Sequence, residues 1–464
     1  MMKNILPTAI ILAFFNTTKA QKIFTSDIDN FWTAYDHIRK AENNKKEILE
    51  TYFLNKKTEG LKDFMEIKQF NEDDYLNVIE KYPQFWNSIR KNTSIDSKKI
   101  SSINKALKKL KVLYPNNSNG NIYYTIGALK SGGTTHNEDL FLGIEKILGD
   151  KNTVVSEFDN ENLQKMFLYI NSSQLEHITI HEFAHTFQKD GEINILSKAI
   201  KEGSCDLIAE LTMNQKFSSQ YIDYGFKNYD TVKSEFKNEM FSRNFGNWFY
   251  NSNTSKNPDL GYFAGYVISK KYYDNAKNKK EAIKDIIELD FNSEEAVFQF
   301  LEKSKFFEDN TNIRELKSAY KNNQPKIVRI IEFENNSQNV DPKIKQIQIV
   351  FSKPMNENVS INFSKFGKEH FPLKKIAGLD NTKTILTLET VDLKPDTEYD
   401  FYVTDRGTKS EDGYHFPEQE YKVSFKTEKK QLLQKNHSWW LRLPKPPEPN
   451  ISAFLQPSQF PQEY

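Results

Sequence analysis

The chain has 464 residues, enough for two or three domains and a sizeable core. Lysine plus arginine number 64 against 63 acidic residues, a net charge of +1, and no basic block stands out, so bulk charge makes no case for nucleic acid or an acidic partner. The single cysteine, Cys205, excludes an intrachain disulfide.

Residues 1–20 read as a secretory signal. Lys3 precedes an apolar run, Ile5–Phe15, too short to span a bilayer, and Thr18-Lys19-Ala20 puts small residues before a cut ahead of Gln21. No cysteine follows the run, so no lipoprotein anchor is expected. No other long apolar segment exists, and the mature chain is expected in the periplasm or outside the cell without a membrane span.

Residues 26–115 predict helices. Phe31, Tyr35 and Ile38 follow helical spacing, a second helix runs from Asn71 to Lys81, and Pro83 starts a third with Phe85, Trp86 and Ile89. Ile100, Ile103, Leu107 and Leu110 form one apolar stripe, and Pro115-Asn116-Asn117 ends it. Asn121–Leu129 then reads as a strand, Ser131–Thr135 as a turn or loop, and Leu140–Ile144 as a second strand. His136, placed in the loop between them, could polarise a substrate carbonyl.

His181-Glu182-Phe183-Ala184-His185 has the H-E-x-x-H form of a zinc metalloprotease. Ser173-Gln174-Leu175-Glu176 supplies a capping box ahead of it, and Lys189-Asp190-Gly191 an ending. Residues four apart on a helix share a face, so both imidazoles can reach one ion, with Glu182 beside a water on it. His177 continues the stripe, but the outer two of three such histidines stand about 12 Å apart along the axis, so His177 is read as a packing or supporting residue. Glu202 lies 17 residues after His185, inside a helical segment Ile195–Met213, and is assigned as the third ligand. Asp206, one turn on, is assigned to the second ring nitrogen of a ligand histidine, His181. Two His and one Glu leave the fourth position for water, as catalytic zinc requires. Cys205 lies between them, but a thiolate is softer than this ligand set, and it reads as a small buried residue.

Residues 214–255 are aromatic and polar, with little period. Residues 260–305 are helical again, with Lys279–Leu289 and Ser293–Lys303 as closing helices. Tyr262 and Tyr266 are four apart, and either could aim its hydroxyl at a developing oxyanion, with Tyr266 preferred. Asn322-Asn323-Gln324-Pro325 marks a boundary. Beyond it the period becomes two, with strands expected at Ile327–Phe333, Ile344–Phe351, Ser360–Phe363, Thr384–Leu388, Tyr399–Val403 and Tyr421–Phe425. Residues 428–464 turn basic, then rich in Pro, Gln and aromatics, and are expected to form an extended or disordered tail.

H-E-F-A-H followed by E-G-S-C-D resembles a gluzincin, the thermolysin-like clan with its second motif E-x-x-x-D. More narrowly, the chain is similar to predicted secreted bacterial zinc proteases related to the gliding-motility lipoprotein B family. Asp27–Trp32, Tyr124–Gly127, Asn247–Tyr250 and Gly261–Tyr266 carry that resemblance over roughly residues 25–305. It implies a zincin-like fold in which the strands lie beside the metal helix and an edge strand takes up a peptide. Phe351-Ser352-Lys353-Pro354-Met355 and Leu393–Tyr399 resemble a bacterial Ig-like domain over 325–427. The expected fold class is therefore multidomain. A mainly α (α+β) zincin-like metalloprotease domain over 21–322 precedes an all-β Ig-like sandwich over 325–427.

The expected activity is zinc-dependent peptide hydrolysis. His181, His185 and Glu202 hold Zn2+, Glu182 is the general base, and Tyr266 or His136 assists. The partners expected are a peptide or protein substrate and a surface partner for the Ig-like part. The competing expectation is a non-catalytic envelope, secretion or gliding-associated binding protein. Intact Glu182 argues against it, since a scaffold has no need of a base.

Overall fold

Residues 21–116, 119–167, 174–308 and 310–429 are described by a computed structural model of the chain. The expected signal at 1–20, Asn117, Ser173 of the expected capping box and residues 430–464 of the tail lie outside the described residues. Among the described residues, no helix is long and apolar enough to cross a membrane.

Helices come first: α1 (Ser26–Ile38), α2 (Lys45–Tyr52), α3 (Glu59–Ile67), α4 (Glu72–Lys81), α5 (Pro83–Ile89) and α6 (Ser97–Leu113). Pro83 opens α5, where its missing N–H costs nothing, and Asn71 and Asp74 cap α4 reciprocally. The aromatic stripe of α1 closes on its neighbours, with Phe31 and Trp86 ring centres 4.9 Å apart. Buried Asp27 accepts the Thr58 N–H at 2.9 Å, tying α1 to the start of α3. α2 and α3 fall inside the stretch expected to be helical, although the sequence pattern sets no bounds for them.

A four-stranded sheet follows, in the order β1-β2-β4-β3, from β1 (Ile23–Phe24), β2 (Ile122–Thr125), β3 (Gly133–His136) and β4 (Asp139–Gly143). β1, β2 and β4 run parallel, while β3 is an antiparallel edge. Residues 133–136, expected as a loop, are thus a strand. A two-residue turn at Asn137 and Glu138, with φ of 48° and 70°, folds β3 onto β4. The buried pair Tyr124 Oη and Thr179 Oγ1, 2.6 Å apart, bolts this sheet to the helix carrying the histidines.

That helix is α8 (Leu175–Ala184), preceded by α7 (Glu161–Met166). It ends earlier than Lys189-Asp190-Gly191 predicts, because His185–Phe187 tightens into a 3₁₀ turn. Next come α9 (Ile195–Met213), α10 (Gln220–Lys227), α11 (Tyr229–Glu239), α12 (Leu260–Asn275), α13 (Lys279–Ile287), α14 (Glu294–Ser304) and α15 (Ile313–Asn323). α9 and α12 touch backbone to backbone. A Cβ on Gly203 would fall on the Gly265–Tyr266 peptide, and one on Gly265 on the Ala199 carbonyl. Residues from α1 to α15 share one apolar core.

From Ile327 the chain is sheet: β5 (Ile327–Ile330), β6 (Gln346–Phe351), β7 (Ser360–Asn362), β8 (Leu373–Leu379), β9 (Ile385–Thr390), β10 (Glu398–Thr404) and β11 (Glu420–Lys426). Two sheets, β5-β6-β9-β8 and β11-β10-β7, bury alternate residues in a second core. The Lys394 N–H donates to the Tyr399 hydroxyl at 2.8 Å, fixing the turn into β10. Gln324 and Asn244 bond to His415 across the seam between the two regions.

Glu145, just after β4, is fully buried. Its carboxylate accepts the N–H groups of Gly127 at 2.9 and 3.1 Å and of Leu129 at 2.9 Å, in a loop where Ala128 and Leu129 have φ of 50° and 59°. Burial, opposed by those bonds, pushes its carboxyl from 4.5 up to about 7. A raised folded-state pKa stabilises most below the unfolded value, and that contribution is lost as pH rises through the folded one. Stability from Glu145 is expected to fall by roughly 3 kcal/mol from pH 4.5 to above 7. Denaturant midpoints across that range should slope downward more in the wild type than in Glu145→Gln. Parallel profiles would refute the assignment.

Candidate metal centre

α8 and α9 cross so that His181, His185 and Glu202 face one point, each with a ligand atom within 4.8 Å of the others. Glu202 Oε2 lies 3.7 Å from His181 Nε2 and 3.4 Å from His185 Nε2. Tetrahedral donors at zinc bond lengths of about 2.0–2.1 Å stand ~3.4 Å apart, so these separations fit one shared ion.

The far ring nitrogens are engaged as well. His181 Nδ1 lies 2.7 Å from Asp206 Oδ1, and His185 Nδ1 lies 2.7 Å from Gln188 Oε1. With Nδ1 donating, each Nε2 keeps its lone pair for a metal. Asp206 also takes His177 Nε2 at 3.2 Å on the same oxygen and the Tyr221 hydroxyl at 2.9 Å on the other. His177 is stacked on Phe217 with ring centres 3.6 Å apart. His177, His181 and Asp206 also form a compact group, but 2.7 Å from Nδ1 to oxygen is a hydrogen bond, shorter than the spacing of two ligands on one ion. That group supports the ligand histidine.

Charge explains why the cluster can be buried. Burial opposes the imidazolium of His181, but Asp206 and Glu202 outweigh it and raise its pKa well above the ordinary value. His185 is raised likewise, burial being overcome by Cys205 and Glu202. Burial also opposes the charged forms of the carboxylates. The histidines nevertheless hold Glu202 well below its usual range and Asp206 at about 2.

Glu182 is half-buried on the flank of α8 that faces β3, and a Cβ on Gly133 would stand 4.0 Å from its carboxyl carbon. A cavity of about 280 Å³ opens beside it, walled by Ile178, Phe217, Tyr221, Asp259 and Tyr262. A larger crevice of about 1360 Å³ lies at the seam between the helical and sheet regions, by Arg243 and Arg406, away from the histidines.

Two expected assistants are elsewhere. Tyr266 is buried and its hydroxyl donates to Glu210 Oε2 at 2.9 Å, two turns of α9 beyond Glu202, so the preference for Tyr266 is corrected. His136 is exposed at the tip of the β3–β4 hairpin, opposite Asp139 and three residues from Gly133, about 10 Å along the strand. Tyr262 is the tyrosine of that helical pair on the metal side, its ring 6.1 Å from that of His181. It neighbours Tyr250, a residue with φ of 54° whose N–H is held by Asp259 at 2.6 Å. Lys198 sits 5.2 Å from the Tyr250 ring centre and fixes it from below. Sequence reasoning assigned no chemistry to Gln188, Tyr221 or Tyr250. Only the H-x-x-Q spacing after the motif pointed to the first.

No known protein family matches this chain. No curated protein matches it either. Among solved structures, the S-layer protein rSbsC(31-844) aligns at 12% identity over 71% of this chain and 46% of that one, with a TM-score of 0.18. The N-terminal part of the bacterial S-layer protein SbsC aligns at 13% identity over 71% and 78%, also with a TM-score of 0.18. The chain thus spans about half the length of the first. Scores this low carry no argument about fold or function, and the site's own geometry carries the functional reading.

Both imidazoles must lose a proton to bind an ion, and their pKa values are raised in the ion-free protein. Zinc binding at pH 7 is therefore expected to release about one to two protons and to weaken as pH falls. Calorimetry in buffers of different ionisation enthalpy measures this directly. Zinc binding without proton release would contradict the protonation state assigned here.

Proposed function

We propose that this chain is a secreted zinc-dependent peptidase of gluzincin type, with a catalytic unit over 21–322 and an Ig-like sandwich over 325–427. The observation that carries it is Glu202 Oε2 set 3.4 and 3.7 Å from two imidazole nitrogens, with Glu182 beside them. His181, His185 and Glu202 would hold the ion, and Asp206 would keep His181 in the Nδ1–H tautomer. Zinc held there supplies a Lewis acid and lowers the pKa of a water toward neutrality.

The chain's own groups do the rest. Glu182 accepts a proton from the attacking water and returns it to the leaving amine. β3 is an edge strand with one side unpaired, and Gly133 brings that edge close to Glu182, so an extended peptide can add as a fifth strand across the base. Tyr250, beside Tyr262 and close enough to Glu202 and Glu182 to feel their charge, can offer its hydroxyl proton to an oxygen that gains charge as the carbonyl is attacked. The cavity walled by Phe217 and Tyr221 takes a neighbouring side chain. The turn held by Tyr399 and the two sheets sharing one core support the Ig-like assignment for the second region, which we propose binds a surface partner.

The decisive variant is Glu182→Gln. It should keep zinc while peptide hydrolysis falls by about 10²-fold or more. Tyr250→Phe should lower kcat with little change in KM, whereas Tyr266→Phe should leave kcat alone. Unchanged turnover in Glu182→Gln, or a zinc-loaded wild type that cleaves nothing in a peptide library, would sink the proposal. The second outcome would favour a non-catalytic binding protein.

A further inference from the structure

His185 is the ligand that closes α8, and its orientation is not set by a carboxylate. We propose that Gln188 is the positioning residue that commits His185 to the Nδ1–H tautomer and aims its Nε2 at the metal position. This inference rests on the metal-centre reading above.

The argument begins with the orientation of an amide. The side-chain nitrogen of Gln188 lies 3.1 Å from the Lys201 carbonyl oxygen and 2.9 Å from Ser204 Oγ. A carbonyl oxygen only accepts, so the atom facing it must be the NH2 group, and the amide cannot be flipped. Ser204 Oγ gives its own proton to the same Lys201 carbonyl at 2.9 Å, so toward Gln188 it accepts. Both amide protons are thereby spent on α9, and Oε1 is left facing His185 Nδ1 at 2.7 Å. Oε1 has no proton to give, so Nδ1 carries one. Nε2 is then unprotonated in the metal-binding state, and it is the nitrogen 3.4 Å from Glu202 Oε2.

Cys205 Sγ approaches the same Nδ1 at 3.5 Å, but sulfur is the weaker acceptor at the longer distance. The anchor atoms, Lys201 O and Ser204 Oγ, flank Glu202 on α9. Gln188 therefore sets the angle of His185 from the helix that supplies the third ligand. The two imidazoles are held differently, His181 by a carboxylate and His185 by a neutral amide that adds no charge to the buried site.

Two variants and two readouts test this. Zinc affinity, measured by competition with a chromophoric chelator, should fall about 10- to 100-fold in Gln188→Ala. Long-range ¹H–¹⁵N spectra of zinc-loaded protein should show the His185 proton on Nδ1 in the wild type, and that signature lost in Gln188→Ala. Gln188→Glu keeps an acceptor for Nδ1 but gives up both donations to α9. It should recover most of the affinity if the histidine contact matters, and none if Gln188 only bolts the turn to α9. If Gln188→Ala fails to fold, Gln188→Met, which fills the same space without an acceptor for Nδ1, should still weaken zinc about 10-fold. Wild-type affinity in Gln188→Ala, or Gln188→Glu as weak as Gln188→Ala, overturns this inference and leaves the metal centre standing. A wild type that binds no zinc overturns both.

Discussion

The structure turns on a stripe of three carboxylates buried in one helix. Glu202, Asp206 and Glu210 stand four apart on α9, whose residues are buried on nearly every side. An unpaired buried charge costs several kcal/mol, so each must be met. Asp206 is met by His177, His181 and Tyr221, and Glu210 by the Tyr266 hydroxyl and the Phe217 N–H. Glu202 alone is met by two imidazoles that could both exchange a proton for a metal, His181 and His185. The stripe therefore sorts itself by partner. Asp206 and Glu210 are satisfied by groups that keep their donated protons, and Glu202 by the pair of candidate ligands.

That sorting explains the tyrosines. α12 crosses α9 at Gly203 and Gly265, where neither helix has a side chain to separate the backbones. With the crossing point fixed, the helical phase of α12 puts Tyr266 over Glu210 and Tyr262 one turn back, beside His181 and Tyr221. The same contact carries Gly203 next to Glu202, so the ligand and the tyrosine that faces it are set by one close approach. Enlarging either glycine would displace both, although neither touches the site.

Sequence periodicity made local things legible. His181, His185, Glu202 and Asp206 could be paired in advance because helical spacing is a property of a single segment. The apolar runs of β6, β10 and β11 were legible for the same reason. What depends on distant neighbours was not. Gly133-Thr134-Thr135 carries turn residues yet pairs as β3, because β4 lies alongside to take its hydrogen bonds. β8 is hidden by Lys374 and Lys375 and by four successive exposed residues, being held by β9 on one side only. Choosing between Tyr262 and Tyr266 required the crossing angle of a second helix. Gln188 required knowing which carbonyl its amide faces.

The edge presented by β3 constrains what a bound peptide can gain from the sheet. Only four residues long, it offers few unpaired backbone groups, too few to hold a chain by main-chain bonding alone. Most of the binding energy must therefore come from side chains, and the aromatic cavity beside Glu182 is placed to supply it. On the peptidase proposal, a short edge would also let a product leave, because each half would keep only part of an already small ladder. The exposed rim residue Tyr250, held by Lys198 and Asp259 in a conformation with positive φ, would on that proposal act where the two halves part. Its backbone strain is offset by contacts outside the cleft, so the proposed substrate would not have to place it.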